Sequence, residues 1–363
     1  AFFDLINAGL PFIRTIFREL AFEAGSPYIV KVLSKLPIYT LKISYLTLCS
    51  LCDLNHNRVE NTMKITNEHQ LPDAFLNFAR DDKYSKGDSD ISVTTLIDSP
   101  RIRLLREKNK DEMTKDVVDM IWPLFGTAVH HILESAEDPE NVVKEERLYA
   151  KVLDWVLSGA LDHQEVLPDG TVQITDYKVT SAWSVILGKK EWERQQNCYA
   201  WLIENSEDGK NRFRKVSNIR ICAVLRDWQR RKAEFDKDYP QSPVMIVDLP
   251  LWSEAEREEY VYGKMHEHQE AQANYDLFDK EQLCTPEEQW AKPDTWAVKK
   301  KNVKRALRVY ETEQEAIDHA KLSNEKYTTE TIIEHRKGEL TRCQGNYCGV
   351  SEFCEQFNSW RKE

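Results

Sequence analysis

The stretch "SGALDHQEVLPDGTVQITDYKVTSAW", residues 158–183, limits the possible folds of this chain more than any other. Residues 152–161 and 171–179 are rich in β-branched and aromatic side chains. Between them "PDG" at 168–170 supplies a turn, Pro fixing φ and Gly accepting a positive one. The pattern predicts two paired strands, so the chain must be built around a sheet. Side chains alternate along a strand, which sets Asp176 and Lys178 on one face and Tyr177 on the other. Asp162 is expected to close the first strand and to lie beside Asp176 across the ladder. Two neighbouring carboxylates repel each other, and a hard divalent cation with oxygen ligands, such as Mg²⁺, relieves that repulsion. The Lys178 ammonium is then within reach of whatever the cation holds.

A lone Asp or Lys at a strand end is usually solvated. The set is more specific: "GALD" at 159–162 ends fourteen residues before Asp176, and "ITDYK" follows an apolar strand directly. On these residues the sequence resembles the PD-(D/E)XK nuclease superfamily in its RecB-like branch, where the second acidic residue is Asp and a Tyr precedes the Lys. Upstream, "LFGTAVHHILE" (124–134) is similar to the branch's Gly-x-x-x-His helix and assigns His130 as a metal ligand. His131 points about 100° away around the helix and is not assigned. Downstream, "QQNCYAWL" (195–202) is similar to the Gln-x-x-x-Tyr helix, with Gln195 and Tyr199 at i and i+4 on one face. Gln196 competes with Gln195, and the spacing to Tyr199 favours Gln195. The resemblance covers roughly residues 90–360 in the family's chain order.

The resemblance implies an α/β fold with a restriction-endonuclease-like αβββαβ core, a mixed central sheet flanked by helices, and a wrap-around C-terminal tail. Local pattern supplies matching elements. A helix is expected over about 112–137, interrupted by Pro123, followed by strands near 143–150, 151–162 and 171–179. A helix over about 190–205, a strand over 218–228 and a helix over 253–280 come next. A basic hairpin and a short helix opened by the capping pair Thr312 and Glu315 follow. Residues 63–363 read as one domain, with 281–363 as the tail. Met63 resembles a natural start, and residues 1–62, of different composition, are expected to be an extension that carries no chemistry.

By the same resemblance, Asp162, Asp176, Lys178, Gln195 and Tyr199 are the catalytic set. His130, Asp162, Asp176 and the main-chain carbonyl of Tyr177 hold one or two Mg²⁺ or Mn²⁺ ions. The implied reaction is hydrolysis of DNA phosphodiester bonds by an exonuclease acting at DNA ends. Its setting is phage recombination or replication, alongside the phage's own proteins, in the cytoplasm of an infected bacterium. A catalytically inactive DNA-binding accessory with a structural zinc or iron-sulfur site is the alternative, and the presence of every acidic ligand disfavours it.

The formal charge of −11 argues against a protein that coats nucleic acid, because phosphate binding needs positive surface. Local basic patches remain available. One is "RDWQRRK" (226–232), with Arg230 and Arg231. The other is "VKKKNVKRALR" (298–308), with Lys299, Lys300, Lys301, Lys304 and Arg305, expected as a hairpin with a basic turn flanked by Trp296 and Tyr310. The most apolar region, 27–49, is interrupted by Lys31, Lys35 and Lys42, so no membrane partner is expected.

In the tail, "RCQGNYCGVSEFC" gathers Cys343, Cys348 and Cys354 within twelve residues, in a chain without secretory features that would favour disulfides. Three clustered thiols suggest a metal, with Cys284 the nearest fourth ligand; the resemblance, which implies a fourth cysteine before the nuclease core in many members, keeps Cys49 and Cys52 as alternatives. The family resemblance implies a [4Fe-4S] cluster, and Zn²⁺ accepts the same ligands. Cys198 and Cys222 read as small buried hydrophobes.

Overall fold

A computed structural model describes residues 63–80, 86–327 and 330–362 of the chain. The expected extension at 1–62, with Cys49 and Cys52, lies outside the described residues. Contacts group Met63–Glu363 as one compact unit.

A six-stranded mixed sheet organises this unit. Its strands are β1 (Ile91–Ser92), β2 (Val142–Val152), β3 (Trp155–Val166), β4 (Val172–Thr180), β5 (Val216–Leu225) and β6 (Val244–Leu249). Strand β3 is the hub. It pairs antiparallel with β2 along its whole length, from Val152↔Trp155 to Val142↔Glu165. Its first half also pairs parallel with β1, at Leu157 and Ser158. Its second half pairs antiparallel with β4, from Val166↔Val172 only as far as His163↔Thr175. Beyond that point β3 and β4 part, and β4 continues parallel to β5 to the pair Thr180↔Leu225. A parallel pair needs a crossover, and helices α3 (Ala182–Leu187) and α4 (Lys190–Asn205), numbered after α1 (Pro100–Asn109) and α2 (Ile121–Glu134), supply it. Strand β6 closes the sheet antiparallel to β5.

The main core lies where α4 and the later helix α6 (Glu254–Phe278), which follows the short α5 (Arg230–Phe235), meet the sheet. Leu157, Leu161, Ile174, Leu202, Ile203, Ile219 and Met265 are fully buried there. Gly159 sets the distance between α4 and β3. A Cβ at that position would meet Tyr199 Cε1 at 2.7 Å and Leu202 Cδ1 at 2.8 Å. The "GALD" glycine is thus a packing residue that lets a helix lie against the strand.

In the tail, β7 (Thr295–Lys300), β8 (Ala306–Tyr310) and β9 (Thr331–Arg336) form a separate three-stranded sheet in the order β8-β7-β9. Helix α7 (Glu313–Tyr327) packs on it through Ala316 and Ala320 against Val298. The tail is pinned to α1 by the Arg101–Glu281 ion pair at 2.7 Å, and Arg342 meets Asp98 at 2.8 Å just before α1. Among the described residues no helix is long and apolar enough to cross a membrane.

Several expected boundaries move. Asp162 lies inside β3, which starts at Trp155 after a turn containing Leu153 (φ 54°) and runs on to Val166. Pro123 opens α2 instead of interrupting a longer helix, because its missing N–H falls in the first turn, where amide donors have no intrahelical partner. Residues 114–116 before it are extended. Strand β5 ends at Leu225, leaving Arg226 beyond the sheet. The helix at Thr312 has fifteen residues, not a short run, and β6 and β9 were not expected.

Replacing Gly159 with Ala should lower unfolding stability by about 1–3 kcal/mol, since the contact is with packed side chains and forces them from their rotamers. Urea denaturation measures this, and an unchanged midpoint would show that α4 is free to move outward.

Candidate functional site

Where β3 leaves β4, the ladder is replaced by a side chain. Asp162 Oδ2 accepts the Tyr177 backbone N–H at 2.8 Å, so a carboxylate takes the place of a strand carbonyl. On the other side of β3, the ladder with β2 runs from Lys144↔His163 to Glu146↔Leu161 and omits Glu145. Glu145 has φ 47°, a left-handed conformation costly for a residue with a Cβ. Helix α2 brings His130 to the same place. Its Nδ1 lies 3.6 Å from Asp162 Oδ2 and 4.0 Å from Glu145 Oε1.

One ligand atom from each of His130, Glu145 and Asp162 lies within 4.8 Å of the others. The second ring nitrogen, His130 Nε2, is 2.9 Å from the Tyr177 carbonyl oxygen. A carbonyl can only accept, so Nε2 carries a proton and donates it, and Nδ1 faces two carboxyl groups. One nitrogen and two carboxyl oxygens converging in this way need a proton or a cation between them.

Asp176 adjoins this group from β4. It is 3% exposed; its Oδ1 accepts from Gln196 Nε2 at 3.0 Å, and its Oδ2 lies 2.7 Å from Lys178 Nζ. Burial raises the Asp162 carboxyl to about 8, with the Asp176 charge adding to the rise and Lys178 and the Tyr177 N–H opposing it. Burial likewise raises Glu145, helped by Glu134 and Asp176. For Lys178, burial acts to lower the pKa, but the charges of Asp176 and Asp162 outweigh it and the ammonium is held above its ordinary value.

The structure therefore brings His130, Asp162, Asp176, Tyr177 and Lys178 together, and two details differ from the sequence-based expectation. First, Gln196, not Gln195, touches Asp176. Gln195 donates to the Tyr199 hydroxyl at 2.9 Å, and that i, i+4 bond remains within the helix. Spacing identifies partners along a helix but not which of two adjacent residues, about 100° apart, faces the sheet. Second, Glu145 was missed. It sits in a charged run, "KEER", that reads as solvated surface. Its signal was register: once β2 and β3 are joined by the turn at 153–154, residue 145 falls level with residue 162.

The basic hairpin is divided in its availability. Lys299 and Lys301 form ion pairs with Glu334 and Glu330, at 2.5 Å and 2.7 Å. Lys300, Lys304 and Arg305 are exposed around the turn, as are Arg230 and Arg231 on α5.

Cys284, Cys343, Cys348 and Cys354 line one cavity with Ile102 and Leu105 of α1. Three of their sulfurs have polar neighbours. Arg101 Nε donates to Cys354 Sγ at 3.3 Å, Val350 N donates to Cys348 Sγ at 3.4 Å, and Ser99 Oγ lies 3.4 Å from Cys284 Sγ. Burial raises Cys284 to about 12 and Cys343 to about 11. Cys198 lies apart on α4, fully buried in the main core, where desolvation raises it to about 12. Cys222 is on β5 and is also raised by burial.

No family model and no curated protein matches this chain. A solved structure described as "Crystal structure of SSO0001" is 15% identical, covering 53% of this chain and 81% of its own, with a TM-score of 0.35. A likeness of that size carries no argument.

The raised Asp162 carboxyl gives a stability prediction. In metal-free protein the folded state holds a proton that the unfolded chain has released, so stability falls as pH rises from about 4 towards the folded value. In EDTA, wild type should lose more melting temperature than Asp162→Asn as pH rises across this range. Thermal scans at matched ionic strength test it, and equal pH slopes would contradict the assignment.

Proposed function

We propose that this chain is a divalent-metal-dependent nuclease that hydrolyses DNA phosphodiester bonds, built on a PD-(D/E)XK core. The observation that carries the reading is the convergence of His130, Glu145 and Asp162 within 4.8 Å, beside the Asp176–Lys178 pair on the next strand.

The donor set fits a divalent cation, since one imidazole nitrogen and two carboxyl groups, each able to ligate a metal, converge on one point. Oxygen-rich ligation suits Mg²⁺ or Mn²⁺, and the imidazole favours Mn²⁺ of the two. His130, Glu145 and Asp162 would hold the ion, with Asp176 and the Tyr177 carbonyl alongside. When bound, it supplies Lewis acidity at a phosphoryl oxygen and lowers the pKa of a water. The chain's own part is positioning and charge. Gln196 fixes one oxygen of Asp176, and Asp176 holds Lys178 by the other. The Lys178 ammonium, kept charged by its acidic neighbours, is placed to stabilise charge developing on the phosphate. Lys300, Lys304, Arg305, Arg230 and Arg231 provide positive surface for the DNA backbone. Attack at DNA ends, in phage recombination or replication, is the finer expectation.

Incubating end-labelled linear and circular DNA with Mg²⁺, Mn²⁺ or EDTA tests the activity. Linear DNA should shorten only with metal, and circular DNA should persist if ends are required. Asp176→Ala should abolish cleavage while DNA binding survives. Lys178→Ala should slow the chemical step by roughly 10² or more. Full activity of Asp176→Ala in Mg²⁺ would exclude this site.

The cysteine cavity has the donors a thiolate-ligated centre needs, because four thiols line it together with N–H donors aimed at sulfur. Cys284, Cys343, Cys348 and Cys354 would hold a [4Fe-4S] cluster or Zn²⁺, linking the two ends of the tail to α1. Anaerobically purified protein should be brown with broad absorbance near ~400 nm in the first case, and colourless with one equivalent of zinc in the second. Cys348→Ala should release the metal and lower the melting temperature. Cys198→Ala should retain the metal, and identical behaviour of the two variants would refute the assignment.

A further inference from the structure

Helix α2 has an unusual surface. Its sequence, "IWPLFGTAVHHILE", is strongly apolar, yet none of its residues is buried. A helix of that composition normally buries a stripe against the core. Here Trp122 is 51% exposed, Phe125 41% and Ile132 67%. Trp122 and Phe125 stand at i and i+3, so their rings are neighbours on the helix surface.

The surroundings indicate the occupant. The Arg226 guanidinium carbon lies 4.1 Å from the centroid of the Trp122 ring. Arg226 is anchored through its backbone, whose N–H bonds the Thr180 carbonyl at the end of β4 at 2.9 Å. The next residue, Asp227, accepts the Ala182 N–H at 2.7 Å, which sets α3 and its Trp183, 58% exposed, at the same end of the sheet. Arg230, Arg231 and Lys232 follow on α5, all exposed. Aromatic faces among guanidinium groups suit a flat, π-rich ligand on a polyanionic chain, which describes an unpaired nucleotide. Trp122 and His130 share one helix and are separated by eight residues, about 12 Å along its axis, so a strand held at one reaches the other.

We propose that Trp122 and Arg226, flanked by Phe125 and Trp183, form a base-stacking site that seats an unpaired nucleobase next to the metal centre. The choice of ligand rests on the nuclease reading, and it extends that reading to DNA presented as a single strand. The site is built without the metal-binding residues, so it can be tested without cleavage.

The test is a fluorescence-anisotropy titration of the full chain in EDTA with three labelled probes: a short single strand, a blunt hairpin duplex, and an abasic strand of the same phosphate count. The single strand should bind more tightly than both others. Trp122→Ala should weaken single-strand binding about 5- to 150-fold, the range for loss of one stacked base, and leave abasic-strand binding unchanged. Trp122→Phe keeps a ring face and should retain most of the affinity. The proposal is overturned if abasic and base-bearing strands bind equally, if Trp122→Ala matches wild type, or if Trp122→Phe falls as far as Trp122→Ala. Metal-dependent cleavage combined with any of those results would remove the stacking site and leave the nuclease reading intact. Base-dependent binding without cleavage would do the reverse.

Discussion

The separation of β3 from β4 is the constraint on which the site depends. The two strands pair only from Val166↔Val172 to His163↔Thr175, and then β4 stays with β5 while β3 turns to β1. A gap in a sheet leaves backbone amides without partners, at a cost of about 1–3 kcal/mol for each one buried. The Asp162 carboxylate offsets part of that cost by accepting the Tyr177 N–H. The same bond fixes Asp162 next to His130, whose Nε2 is held by the carbonyl of Tyr177. One residue of β4 thus orients two candidate ligands through its main chain, and its ring packs edge-on to those of His130 and His163.

The electrostatics of this gap are unfavourable without a further charge. The Asp176 charge raises both Asp162 and Glu145, Glu145 adds to the rise at Asp162, and Lys178 is the cation that answers Asp162 and Asp176. Folding has not removed the conflict by exposing the acids, since Asp176 is buried and held from one side by Gln196. The left-handed backbone of Glu145 is a second cost at the same place. Strain and like charge concentrated at one point of an otherwise well-packed sheet are the usual marks of a functional site.

Much of the framework was legible because it depends on short-range pattern. The "PDG" turn and the alternating strands on either side point to the β3–β4 hairpin, and helices α4 and α6 lie within a few residues of their expected bounds. What remained hidden depends on long-range register. Glu145 becomes visible only once residue 145 is known to face residue 162 across the β2–β3 ladder. The choice between Gln195 and Gln196 turns on the rotation of α4 against the sheet, which helical spacing alone does not set. Lys299 and Lys301 read as free cations because their ion-pair partners, Glu334 in β9 and Glu330 just before it, lie some thirty residues away in sequence. Trp122 passed for an ordinary helix residue, because exposure is a property of what fails to pack against it.

The claim that His130, Glu145 and Asp162 form a cation site is tested most directly by anomalous diffraction from crystals soaked in Mn²⁺. The account predicts one strong peak bounded by His130, the Glu145 carboxylate and Asp162, and its disappearance in Asp162→Asn crystals soaked in the same way. Manganese bound only elsewhere, or a peak at the same place that survives the substitution, would contradict it.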